Sequence, residues 1–202
     1  MIHAVIFDLG NVLLHFDHGL IFRRFSSSAG GNVNAEISRQ EFESMVERFE
    51  TGTMGSEEFV GGLLRRFALE GRVKEDEAQA WWNEIFWRNE ELVPLLEKLA
   101  GHVRLLMLSN TNPLHVEYAR RNYPDVFAAF DAFVFSYETG VRKPDERIYR
   151  AAIERAGVPA ECCLYFDDIP SYTDTARALG MHAYPYISAA GVRDILRVYE
   201  LI

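Results

Sequence analysis

Ala4-Val5-Ile6-Phe7-Asp8-Leu9-Gly10-Asn11-Val12-Leu13-Leu14 runs apolar into a carboxylate, relaxes at a glycine two residues later, and turns apolar again. A continuous apolar run rich in β-branched residues is the pattern of a strand buried on both faces of a parallel sheet. Ligands of open α/β sheets gather at the carboxyl ends of the strands, and Asp8 stands at such an end. A carboxylate there is costly to desolvate unless compensated, so it calls for a cation, a proton or a chemical task.

Beyond Leu14 the pattern changes to helical spacing. Ile21, Phe22 and Phe25 share one face, and Ile37, Phe42, Met45, Val46 and Phe49 share another. Thr51 to Gly55 breaks the pattern. Ser56 is the expected N-cap of a third helix, with Phe59, Leu63, Leu64 and Phe67 inside and Gly71 as its end. A fourth helix is expected to carry Trp81, Trp82, Ile85, Phe86 and Trp87, and no buried strand is expected between His15 and Asn89. From Glu90 onward, strands alternate with helices. Val103–Leu108, Ala132–Phe135, Cys162–Phe166 and Ala183–Ile187 read as strands. Glu91–Leu99, the stretch from Asn112-Pro113, the stretch opened by Lys143-Pro144 and closed by Gly157, the stretch ending at Gly180, and Val192–Tyr199 read as helices. That alternation implies a parallel sheet with right-handed crossovers. The expected division is a core of residues 1–14 and 90–202, interrupted by an all-helical insertion, 15–89, lying over the strand ends.

The 202 residues suffice for one such core plus an inserted unit. With 49% hydrophobic and 25% charged residues, the composition is that of a folded globular chain. A net charge of −9 without a basic tract argues against nucleic-acid binding. Only two cysteines occur, the adjacent Cys162 and Cys163, so no long-range disulfide is available and a reducing compartment is expected. Neither a signal peptide nor an apolar run near the roughly 20 residues of a membrane span is visible, and a cytoplasmic location is the expectation.

Four strand ends present Asp8, Ser109-Asn110, the loop running to Lys143, and Asp167-Asp168. Singly, each has an ordinary use as a cap, a turn former or a surface charge. Jointly, at consecutive strand ends, they put three carboxylates and three donors into one crevice. Three carboxylates do not ionise together cheaply, and Mg²⁺, which prefers a few carboxylates plus water and phosphate oxygens, resolves that. Ser109, Asn110 and Lys143 would face an anion. Phosphoryl transfer, with Asp8 attacking phosphorus, fits this set.

The order resembles the haloacid dehalogenase-like (HAD) hydrolase superfamily along essentially the whole chain. Phe7-Asp8-Leu9-Gly10-Asn11-Val12 resembles its nucleophile motif, and Leu108-Ser109-Asn110-Thr111 its second motif. Arg142-Lys143-Pro144-Asp145 with Ile148-Tyr149 resembles the third, and Tyr165-Phe166-Asp167-Asp168 the acidic fourth. The resemblance implies a Rossmann-like α/β core with helices on both faces and a helical cap, and is nearest to glucose-1-phosphate phosphatase-like members. It implies a Mg²⁺-dependent phosphatase for a small phosphorylated metabolite, with a sugar phosphate as one candidate. Asp8 and Lys143 would be catalytic; Ser109, Asn110 and Lys143 would bind phosphate; Asp8, Asp168, Asp167 and the carbonyl of Gly10 would hold the metal.

Two departures stand out. Gly10 replaces the second Asp that serves most phosphatases of the superfamily as acid and base, leaving Asp17, His15 and His18 as candidate substitutes. Tyr172 stands where Asp or Asn is usual, so Tyr172 or Asp174 would replace it. A haloacid dehalogenase with Asp8 as nucleophile, or a weakly catalytic phosphate-binding or regulatory protein, are the alternatives.

Overall fold

The computed structural model describes residues 1–29 and 39–202. Its strands and helices follow in chain order as β1 (Ala4–Phe7), β2 (Leu14–Phe16), α1 (His18–Ser28), α2 (Arg39–Glu50), α3 (Ser56–Arg66), α4 (Glu75–Asn83), β3 (Phe86–Arg88), α5 (Val93–Leu99), β4 (Arg104–Ser109), α6 (Pro113–Asn122), α7 (Pro124–Ala128), β5 (Ala132–Phe135), α8 (Ser136–Thr139), α9 (Glu146–Ala156), β6 (Cys163–Asp167), α10 (Pro170–Ala178), β7 (His182–Pro185) and α11 (Ala189–Val198). Five strands form one parallel sheet in the order β5-β4-β1-β6-β7. β1 is central, with Phe7 in register with Met107 on one side and Phe166 on the other.

Alternate strand residues feed two apolar layers. Val5, Phe7, Leu105, Met107, Leu164 and Phe166 pack on one face against α5, α6, α7 and α11. Ala4, Ile6, Leu106, Leu108 and Tyr165 pack on the other against α9 and α10. Burial on both faces is why these strands read as unbroken apolar runs. A third apolar cluster joins α1 to α4 around Phe25, Phe49, Phe59 and Trp82. Ile37, expected on the second helix, lies outside the described residues.

The structure corrects several local expectations. α4 stops at Asn83, and Phe86-Trp87-Arg88 form a strand rather than a helical turn. That strand pairs antiparallel with β2, matching Leu14 to Arg88 and Phe16 to Phe86, so the 15–89 segment is not all-helical, although β3 has no fully buried residue. α3 is capped by Gly55, and Ser56 is its first residue. α3 ends at Arg66, with Gly71 in a later turn at φ +70°. Asp145, not Lys143-Pro144, opens α9: its carboxylate accepts from Arg147 N at 2.9 Å.

His115 ties α6 to α4. Asn112 Oδ1 accepts from His115 N at 3.0 Å, so Asn112 Nδ2 is left to donate to Nδ1 at 3.0 Å. Nε2–H then donates to the Trp82 carbonyl at 3.2 Å, and the ring stacks on the Trp82 indole at 4.7 Å between centroids. This network assigns the neutral Nε2–H tautomer. Burial pushes the imidazole down to about 3, outweighing the Trp82 bond. Because the folded-state value lies below the unfolded 6.5, the stability is full above pH 6.5 and is lost as pH falls toward 3. Urea unfolding at pH 7 and pH 5 should show a larger loss for the native chain than for His115→Gln, by about 2 kcal/mol, since one unit is worth about 1.4 kcal/mol. Equal losses in the two proteins would refute this account.

Candidate active site

Along the sheet the chain runs β1, β4, β5 to one side and then crosses to β6 and β7 on the other. The reversal lies between β1 and β6, the place where such sheets open a crevice. Asp8 follows β1 there, with its backbone N–H bonded to Phe166 O at 2.9 Å, and Asp167 ends β6. A tight turn carries the chain from Asp8 back to β2, with Leu13 and Leu14 N–H both on Leu9 O. Asn11 takes φ +53° in it, a conformation Asn tolerates better than most side chains. Its side chain lies near the Asp168 carboxylate and favours that group's charged form.

Lys143 is the hub. Its Nζ is 2.9 Å from Asp8 Oδ1 and 2.5 Å from Asp167 Oδ2, and donates to Leu108 O and Tyr165 Oη, each at 3.2 Å. Burial alone would lower its pKa, but Asp8 and Asp167 more than offset that and hold it raised. Asp167 is fully buried; besides Lys143 it accepts from Tyr165 Oη and from Ile169 N at 2.9 Å. Asp8, Asp167 and Asp168 each bring a carboxylate oxygen within 4.8 Å of the other two. Burial lifts Asp8 to about 7; Lys143 pulls it back and Asp167 pushes it further. Asp168, half-open to solvent, is also raised, by burial and then by Asp167, with Asn11 opposing.

The structure thus brings Asp8, Lys143, Asp167 and Asp168 together. Asn110 does something other than face an anion. Its Oδ1 accepts from Lys143 N at 2.7 Å, and its Nδ2 donates to Lys143 O at 3.0 Å and reaches Tyr172 Oη at 3.4 Å. Both ends of the amide clamp the backbone that carries the lysine. Ser109 is buried, with only a long contact, 3.4 Å, to Asn110 O. Ser136 Oγ fastens the neighbouring loop by accepting from Thr111 N at 2.9 Å and donating to Thr111 O at 3.0 Å.

Tyr172 puts its ring 5.1 Å from Lys143 Nζ and forms part of the crevice wall, whereas exposed Asp174 pairs with Arg177 away from the site. Gly10 is explained by its neighbour: a Cβ there would stand 2.9 Å from Phe16 Cε1, so the Phe16 ring fills the space a side chain would need. Tyr165 and Asn11 are contributors that strand and motif reading did not single out. Tyr165 lies two residues before Asp167 on one strand, hence on the same face, and that spacing was the available signal.

A cleft of about 1040 Å³ opens above Lys143, between α1, α2 and α4 on one side and the 140–145 loop with Tyr172 on the other. Phe22, Phe42, Val46 and Trp82 supply its apolar wall, and Arg142 and Arg147 stand on the polar side. Arg142 is held by Glu50 at the end of α2, at 3.2 Å.

Three clustered carboxylates, two of them paired with a buried lysine, stand at the switch point of a parallel sheet, where α/β enzymes place their ligands. The sequence profile described as haloacid dehalogenase-like hydrolase matches residues 2–180, and the chain belongs to that hydrolase family. It is 27% identical over 205 residues to a phosphatase of Mycobacterium tuberculosis (strain CDC 1551 / Oshkosh), covering 96% of this chain and 91% of that one. It is 26% identical over 183 residues to a phosphorylated carbohydrates phosphatase of Thermotoga maritima, covering 88% and 82%. Among solved structures, a HAD family enzyme of Bacteroides thetaiotaomicron in complex with magnesium and inorganic phosphate superposes with a TM-score of 0.81 at 25% identity, covering 93% of this chain and 95% of that one. No described helix is long and apolar enough to cross a membrane.

Proposed function

We propose that this chain is a Mg²⁺-dependent phosphomonoester phosphatase working through an aspartyl-phosphate on Asp8. The observation that carries the reading is the Lys143 grip on Asp8 and Asp167 beside a third carboxylate, Asp168. Lysine holds the nucleophile in place and presents positive charge where phosphoryl oxygens arrive. Ser109, with no short partner, is the neutral donor for one of those oxygens. Asn110 acts through Lys143, fixing its backbone from both sides.

The donor set fits a hard cation. All three side chains offer carboxylate oxygen, and three carboxylates against one ammonium leave a negative site. Asp8, Asp168 and the carbonyl of Gly10 are the groups that would hold Mg²⁺; Asp167, engaged by Lys143, Tyr165 and Ile169, supports them. Bound there, Mg²⁺ would favour the ionised form of Asp8 and reduce its repulsion of an incoming phosphate. Residues 15–89 are assigned the role of cap. A small phosphorylated metabolite is the substrate class, and a sugar phosphate agrees with the name of the Thermotoga relative. Free Cys162 and Cys163 suit a cytoplasmic setting. A dehalogenase would leave Asp168 without a task.

The test is phosphate release from a panel of small phosphomonoesters, with Mg²⁺ and with chelator. Release from at least one ester that stops on chelation is the expected result. A folded protein that releases phosphate from none would overturn the reading and bring forward the dehalogenase and the phosphate-binding protein.

A further inference from the structure

An alkyl phosphate cannot expel its alcohol as a free alkoxide without a large barrier, so a site that attacks phosphorus needs a proton at the leaving oxygen. Lys143 is fully occupied beneath the cleft. Residue 10 has no side chain, and its space is filled by Phe16. Of the three candidates on the stretch that follows residue 10, two are engaged elsewhere. Asp17 caps α1 by accepting from Gly19 N at 2.7 Å and is paired with Arg23 at 2.7 Å. His15 lies on the opposite side of β2 from Phe16 and packs on half-exposed Trp87, 5.9 Å between ring centroids.

His18 differs on each count. It lines the cleft that holds Lys143. Its ring packs against Phe16 at 4.6 Å, the ring that occupies the missing side chain's place above Gly10. No described side chain hydrogen-bonds its imidazole. We infer that His18 is the general acid and base of this enzyme, an inference that rests on the phosphatase reading. In the first step Asp8 Oδ forms a bond to phosphorus, the ester P–O bond breaks with its electron pair on the leaving oxygen, and the His18 imidazolium gives that oxygen its proton. In the second step neutral His18 takes a proton from water as the water oxygen attacks phosphorus; inorganic phosphate leaves, and Asp8 and the imidazolium are restored. Nearby burial lowers the imidazole below its usual 6.5, with Asp17 opposing. Facing it are Asp17 on its own turn, His115 from α6, and Glu43, Glu47, Arg142 and Lys143 around the cleft.

The experiment compares native protein, His18→Ala and His18→Asn on an alkyl phosphate and on 4-nitrophenyl phosphate, whose leaving group departs unprotonated. The expected loss is about 10²–10⁴-fold on the alkyl ester, the usual worth of acid–base help, and under about tenfold on the aryl ester. The ratio of native to variant kcat/KM on the alkyl ester should fall as pH rises through the imidazole pKa, because only the protonated ring is the acid. Added imidazole should restore part of the His18→Ala rate. Equal losses on both esters, or an intact alkyl rate, would overturn the assignment while leaving the phosphatase reading standing. Native protein inert on both esters would instead remove that reading, and this one with it.

Discussion

Asp8→Asn is expected to cut phosphomonoester turnover on the order of 10⁴–10⁶-fold, the usual scale for losing a nucleophile, with no loss of thermal stability. Asparagine keeps the shape and still offers Lys143 an oxygen, but an amide does not attack phosphorus. The second half of the prediction comes from burial. The carboxyl of Asp8 is raised to about 7 even with Lys143 at 2.9 Å, so its surroundings disfavour the charge. A group raised in the folded state destabilises the fold increasingly as pH climbs from 3.8 toward 7, and a neutral amide removes that cost. Turnover and melting temperature measured on one preparation at pH 7 decide it. A melting temperature several degrees below native, or a rate within a hundredfold of it, would show that Asp8 has a structural role instead.

Lys143→Met should do the reverse to the fold. Lys143 is 2% exposed and bridges two buried carboxylates. Deleting one partner of such a pair leaves unpaired buried charge, at about 3–5 kcal/mol. Turnover is lost as well, since nothing then fixes Asp8. Lys143→Arg should not rescue it, because a guanidinium needs more room and a planar set of acceptors. Lys143→Met combined with Asp167→Asn should regain part of the stability, a coupling that urea unfolding of the single and double variants measures directly. Strict additivity would contradict the ion-pair account.

The core was legible because its signals are local. β1, β4 and β6 are continuous apolar runs ending on Asp8, Ser109 and Asp167, and each run declares its strand without reference to the others. The convergence of those ends then follows from parallel topology. The contacts that qualify the site are not local. Asn110 reads as a donor for an anion until its partner, the Lys143 backbone 33 residues on, is known. Ile85-Phe86-Trp87 is an aromatic run compatible with either period, and what makes Phe86–Arg88 a strand is pairing with Leu14–Phe16 at the far end of the helical segment. Tyr172 looked like a departure from an acidic position; its ring over Lys143 shows only in three dimensions.

That pairing of β2 with β3 has an evolutionary side. Leu14 and Arg88 are neighbours, so everything between them departs and returns through one two-stranded doorway. A segment whose ends already meet can be lengthened, trimmed or exchanged at small entropic cost, since that cost grows only with the logarithm of its length. The carboxylates and the lysine lie outside the doorway, and much of the cleft's apolar wall lies within it. The segment that shapes the cleft can therefore change length or sequence while the strand ends carrying Asp8 and Asp167 keep their places, with His18 the one inferred participant in the reaction that stands on the changing side.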